Sequence, residues 1–164
     1  MKTKNVIETI AVRMMNHEQY TDEAIIEMIK VLSDLEEKDR DGRTLLVNAA
    51  TYQRTNVLKY LIDKKANINS EDKVGFTALH MAALYCDIPS LLLLIKNGAN
   101  INAKDIYGNT PISRVGNVNA LDVFRLLIEY GADPHEKNNY GVAPVDYLSA
   151  YPDIIELFNG ATNT

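Results

Sequence analysis

Apolar residues recur at helical intervals in three stretches of this chain: Val57, Leu58, Leu61 and Ile62; Leu91, Leu94 and Ile95 following Ser90; and Val123, Phe124, Leu127 and Ile128. That spacing lines one face of a helix, the face that a core buries. Equivalent members lie 33 residues apart, so the three stretches are copies of one unit. One period earlier stand Ala24, Ile25, Met28 and Ile29, which puts a leading helix in phase with the others. Helices are predicted near 4–15 and 22–37. The second opens at Thr21, where Asp22 and Glu23 favour the positive end of its dipole.

The glycines keep the same register. Gly42, Gly75, Gly108 and Gly141 are each followed by a short patterned run, in which Thr44, Thr77 and Thr110 occupy the N-cap position and Pro111 follows where its missing N–H costs nothing. Ala143 forfeits that cap. Ala49-Ala50 and Ala82-Ala83 supply small side chains where neighbouring helices approach; Val115-Gly116 departs from that pattern. Gly98 and Gly131 are placed to end the second helices in the left-handed conformation, whereas Lys65 holds that place in the first copy at a cost of about 1 kcal/mol.

A fixed period of this size marks stacked supersecondary units, and the runs Thr77-Ala78-Leu79-His80 and Thr110-Pro111-Ile112 resemble the signature of the ankyrin repeat family. The resemblance implies an all-α solenoid of helix-turn-helix units with projecting β-turn loops. It divides the chain into a helical N-terminal cap at 1–38, full repeats at 39–71, 72–104 and 105–137, a truncated capping repeat at 138–159 and a frayed tail at 160–164. The family usually has Gly-His between the two helices. This chain has Gln53-Arg54, Cys86-Asp87, Asn119-Ala120 and Pro152-Asp153 there. Only Asn119 tolerates positive φ comfortably, so turns of a different geometry are expected.

Length and a 46% apolar composition allow one domain with a continuous core. The single cysteine, Cys86, excludes an intrachain disulfide framework, and no secretory or long apolar segment is visible, so a cytoplasmic protein is expected. The ends are acidic and the middle mildly basic, which reads as solvated terminal caps. A net charge of −5 argues against a nucleic-acid partner, and no membrane partner is expected.

No constellation for catalysis is evident. His80 stands at the histidine of the family signature, a structural group tying adjacent turns, and His17 and His135 have no evident partner for general-base work. Cys86 beside Asp87 makes no triad, the isolated glycines make no phosphate cradle, and metal-ligand spacing is missing. No enzyme activity, cofactor or metal is expected.

Binding is expected instead on the concave face, which the resemblance places at the loop tips and the outward side of each first helix. The candidates are Arg40, Arg43 and Tyr52; Lys73, Val74, Phe76, Leu84 and Tyr85; Tyr107, Asn109 and Val118; and Tyr140 and Tyr151. Tyr52, Tyr85, Val118 and Tyr151 share one register position, as do Asp41, Val74, Tyr107 and Tyr140. Exposed tyrosines bury large area at little cost in rotamer entropy, the property of an interface hot spot. The plainer reading is that a tyrosine before the repeat glycine packs on the next loop. The expected function is a monomeric, non-enzymatic module binding one folded partner protein and inhibiting or neutralising it, as an immunity protein does. The alternative is a homo-oligomer assembled through Val6, Ile7, Ile10, Met14, Met15, Ile26 and Val31 of the leading helices, which otherwise fill the core.

Overall fold

Several helices begin where a side-chain oxygen meets a free backbone amide. In the computed structural model, which describes residues 6–115 and 121–147, Thr21 accepts from Ala24 N and opens α2, Asp22–Ile29. Thr44 and Thr77 likewise accept from Val47 N and His80 N and open α3, Leu45–Thr51, and α5, Ala78–Leu84. The remaining described helices are α1 (Val6–Met15), α4 (Thr55–Asp63), α6 (Ile88–Lys96), α7 (Leu121–Glu129) and α8 (Pro144–Tyr147). In the third unit, a single 3-10 turn at Pro111–Arg114 replaces the first helix. Val115 stands there in the register of Ala49 and Ala82, and this poorer helix former caps the turn.

α1, α3, α5 and the 3-10 turn stack in one row, and α2, α4 and α6 in a second behind it. Ala49, Ala50, Ala82 and Ala83 are fully buried, where small side chains let helices of the first row approach closely. Leu58, Leu61, Leu91, Leu94 and Leu127 carry the core through the second helices. Burial stabilises each such side chain by about 2 kcal/mol relative to exposure. The fold is an all-α solenoid, with no strand among the described residues.

The expectation for one of the two leading helices needs correction. The helix predicted over 22–37 ends at Ile29. Glu36 is needed elsewhere: its carboxylate accepts from Asn67 N at 2.7 Å and from Ser70 Oγ at 2.8 Å, so the chain must unwind to present it to the next loop. The helix predicted over 4–15 is present as Val6–Met15, and residues 4 and 5 lie outside the described residues.

The inter-helix turns, expected to depart from the glycine geometry, keep a left-handed residue: φ is 53° at both Gln53 and Cys86. Hydrogen bonding holds them there. Gln53 N donates to Ala50 O and Arg54 N to Ala49 O, and the same pair of bonds joins Cys86 and Asp87 to Ala83 and Ala82. This is the Schellman pattern, which satisfies the last helical carbonyls and offsets the steric cost of a side chain at positive φ. Lys65 at φ 66° closes α4 in the same way as Gly98 closes α6 and Gly131 closes α7. The turns at Asn119-Ala120 and Pro152-Asp153 lie outside the described residues.

Candidate functional site

The face that carries the candidate residues is built from four loops of one design. Asp39, Asp72, Asp105 and Asn138 each accept two backbone N–H groups on one side-chain oxygen, from the residues two and four positions ahead. Each also closes a tight turn with the following glycine, as Gly75 N donates to Asp72 O and Gly108 N to Asp105 O. Successive loops are then joined by one backbone hydrogen bond: Lys73 N to Asp41 O, Ile106 N to Val74 O, and Asn139 N to Tyr107 O. Gly75 is required at one of these joints, because an added Cβ would lie 2.9 Å from Asp105 Cα.

This column of side-chain acceptors, three carboxylates and one amide, was missed in the sequence. The signal was present: aspartate or asparagine three residues before every repeat glycine, at the same 33-residue spacing.

A second set of rungs runs along the connections between units. Glu36 accepts from Asn67 N, Asn69 Oδ1 from Asn100 N, and Asn102 Oδ1 from Asp133 N. The loop tips are therefore pinned on two sides.

The candidates separate by exposure. Val74, Leu84, Tyr85, Tyr107 and Tyr140 are exposed, with Tyr107 at 44% and Tyr140 at 73%, and Arg40 and Lys73 are exposed beside them. Val74, Tyr107 and Tyr140 follow one another along the hydrogen-bonded tips, joined by Ile106, which is also exposed. Arg43, Tyr52, Phe76 and Asn109 are half-buried. Val118 and Tyr151 lie outside the described residues.

The half-buried set is committed to the scaffold. Phe76 is stacked on the His80 ring, with centroids 5.4 Å apart and planes 7° from parallel. The Arg114 guanidinium lies over Phe76, 4.5 Å from its centroid, and pairs with the buried Asp105 carboxylate. Arg114 was not singled out from the sequence, where nothing distinguishes it from a surface cation. Arg43 Nε stands 3.6 Å from Asp72 Oδ2. Asn109 donates to Asp105 and accepts from Asn138 Nδ2 at 2.9 Å.

His80 is fully buried and bridges two units. Thr77 N donates to His80 Nδ1 at 3.2 Å, and His80 Nε2 lies 3.2 Å from Asn109 O. Burial pushes the imidazole pKa down from 6.5 to about 4, and the Asn109 hydrogen bond only partly opposes that. A neutral ring with both nitrogens occupied holds turns together and has no free nitrogen for a substrate.

At the N-terminal end, Arg40, Arg43 and Tyr52 line a cleft of about 450 Å³ together with α1. His17 Nε2 lies 2.8 Å from Tyr52 O and fixes the end of α1 against α3. Of the apolar set on the leading helices, Ile7, Ile10 and Met14 are buried in the core, whereas Val6, Met15 and Val31 are exposed.

Cys86 is a half-buried free thiol whose pKa burial raises, which disfavours the reactive thiolate. No helix among the described residues is long and apolar enough to cross a membrane.

Loops, paired helices and period together define a class. A model of ankyrin repeats in three copies matches residues 11–105, and a model of the single ankyrin repeat matches residues 107–139. The chain belongs to the ankyrin repeat family, whose repeats mediate binding to other proteins. No curated protein matches it.

Proposed function

We propose that this chain is a non-enzymatic binding module that takes one folded partner protein on the row of Val74, Ile106, Tyr107 and Tyr140, extended by Leu84 and Tyr85. One observation carries the reading. Val74, Ile106, Tyr107 and Tyr140 are exposed, yet they stand on loops already joined by backbone hydrogen bonds, and Leu84 and Tyr85 on the end of a helix. Binding there orders few additional residues, so less of the contact energy is lost to conformational entropy. A cytoplasmic setting, consistent with the single free cysteine, and inhibition or neutralisation of the partner complete the proposal. Residues 1–38 serve as its cap, residues 39–137 as its full repeats and residues 138–159 as its closing unit.

The test is affinity capture from native lysate with mass spectrometry, repeated on a Tyr85→Ala, Tyr107→Ala, Tyr140→Ala variant of unchanged helicity. Loss of a specific captured protein is expected, and undiminished capture overturns the assignment. A second reading, self-association, is favoured by the exposed Val6, Val12 and Met15 of α1. Light scattering showing a strict monomer at high concentration removes it.

A further inference from the structure

The residue that follows each loop aspartate or asparagine has a fixed task. Lys73, Ile106 and Asn139 each donate their N–H to the preceding loop. Lys73 Nζ and Asn139 Nδ2 reinforce the joint by donating to Arg40 O and Ile106 O. In the first loop that position is Arg40. Among the described residues nothing accepts from its N–H or from its guanidinium.

The cause lies one period upstream. Residues 6–10 occupy the register of Asp39 to Arg43, but they are wound into the start of α1 instead of forming a loop. The space in front of the first loop is consequently the 450 Å³ cleft, with Arg40 on one wall and Val12, Met15, Tyr20 and Tyr52 on the others.

We infer that this cleft takes an extended segment of a partner protein as an added rung of the loop ladder. Two successive backbone carbonyls of that segment accept from the Arg40 N–H and guanidinium, as Asp41 O and Arg40 O accept from Lys73. Charge selects backbone over an ionic ligand: Arg13, Arg40 and Arg43 on the lining are balanced by Glu8, Asp39 and Asp41. The exposed Val12 and Met15, with the rings of Tyr20 and Tyr52, offer apolar walls to alternate side chains of an extended chain. The inference rests on the protein-binding reading above but uses a different surface from the tyrosine row.

Panning a random peptide display library on the full chain tests it, with the tightest peptide followed by ¹⁵N NMR. Arg40→Pro removes both donors, and proline suits this second position of the turn closed by Gly42 N and Asp39 O. Peptides are expected to shift the Arg40 amide, to bind Arg40→Pro about tenfold or more weakly, and to bind Arg40→Ala with intermediate loss. Peptides that bind Arg40→Pro as they bind the parent overturn the inference. If those peptides are instead lost on Tyr107→Ala and Tyr140→Ala, the cleft is refused and the tyrosine row stands. A library that yields no binder sensitive to Arg40→Pro overturns the inference and leaves the tyrosine row to its own capture test. Slow hydrogen exchange at the Arg40 amide in the free protein also overturns the inference, because the donor would already be occupied.

Discussion

Arg54 Nε donates to the main-chain carbonyl of Met14 at 2.8 Å, joining the turn after α3 to the end of α1 across 40 positions of sequence. Its Nη1 pairs with Asp22 Oδ1 at 3.1 Å at the opening of α2. One buried side chain therefore fixes both leading helices, although its place is the histidine position of the usual Gly-His turn. Arg54→Ala takes the donor from the Met14 carbonyl and leaves the Asp22 carboxylate only that of Asn56, and is expected to cost about 3 kcal/mol. Urea denaturation measures it. Arg54→Lys, which keeps the charge but not the fork, should recover only part of the loss.

The buried imidazole of His80 makes stability depend on pH. Its pKa in the folded chain is about 4, against 6.5 unfolded, so between these values the unfolded chain takes up a proton that the folded chain refuses. Stability due to this group is intact above pH ~6.5, falls as pH drops toward ~4, and loses about 3 kcal/mol in total. Denaturation midpoints across that window should show the fall. His80→Gln should be less stable at neutral pH and lack this component of the slope.

Gly75 and Gly98 separate backbone strain from close packing. Both have positive φ, 80° and 89°, but a Cβ at Gly75 would press on Asp105 Cα and Ile106 N, whereas nothing lies within 4 Å of one at Gly98. Gly98→Ala is expected to cost about 1 kcal/mol, the left-handed penalty alone. Gly75→Ala should cost about 2 kcal/mol more, because two loops must move apart. Parallel thermal melts compare them.

Gln53 and Lys65 are exposed non-glycine residues at φ 53° and 66°. Gln53→Gly or Lys65→Gly relieves that strain without emptying a buried site. Each should stabilise by about 1 kcal/mol, raising the melting temperature by about 3 °C. A fall in melting temperature would show that these turns draw on side-chain contacts instead.

The period, the threonine caps and the apolar faces were legible because each depends on a few residues at fixed spacing. Cap bonds at Thr21, Thr44 and Thr77 follow from one oxygen and one nearby amide. The end of α2 was not legible, because the groups that draw Glu36 out of the helix are at Asn67 and Ser70, more than 30 residues on. Left-handed turns at Gln53 and Cys86 were missed for a related reason: propensity disfavours the conformation, and helix-end hydrogen bonds override it. At the candidate face, the sequence placed Tyr85, Tyr107 and Tyr140 at the surface, where they stand. It could not divide Phe76 from them, since only packing shows that ring held between His80 and Arg114.

The rungs from Glu36, Asn69 and Asn102 each use a side-chain oxygen that reaches an amide 31 residues ahead. Because every joint is made alike, the piece between two joints is interchangeable. Excising residues 72–104 would bring Asn69 into the place of Asn102, facing the Asp133 amide with the same kind of acceptor, and Asp41 O into the place of Val74 O, facing Ile106 N. The length of the molecule is thus a quantity that whole-unit duplication or loss can change while the loop-to-loop joints keep a donor facing an acceptor.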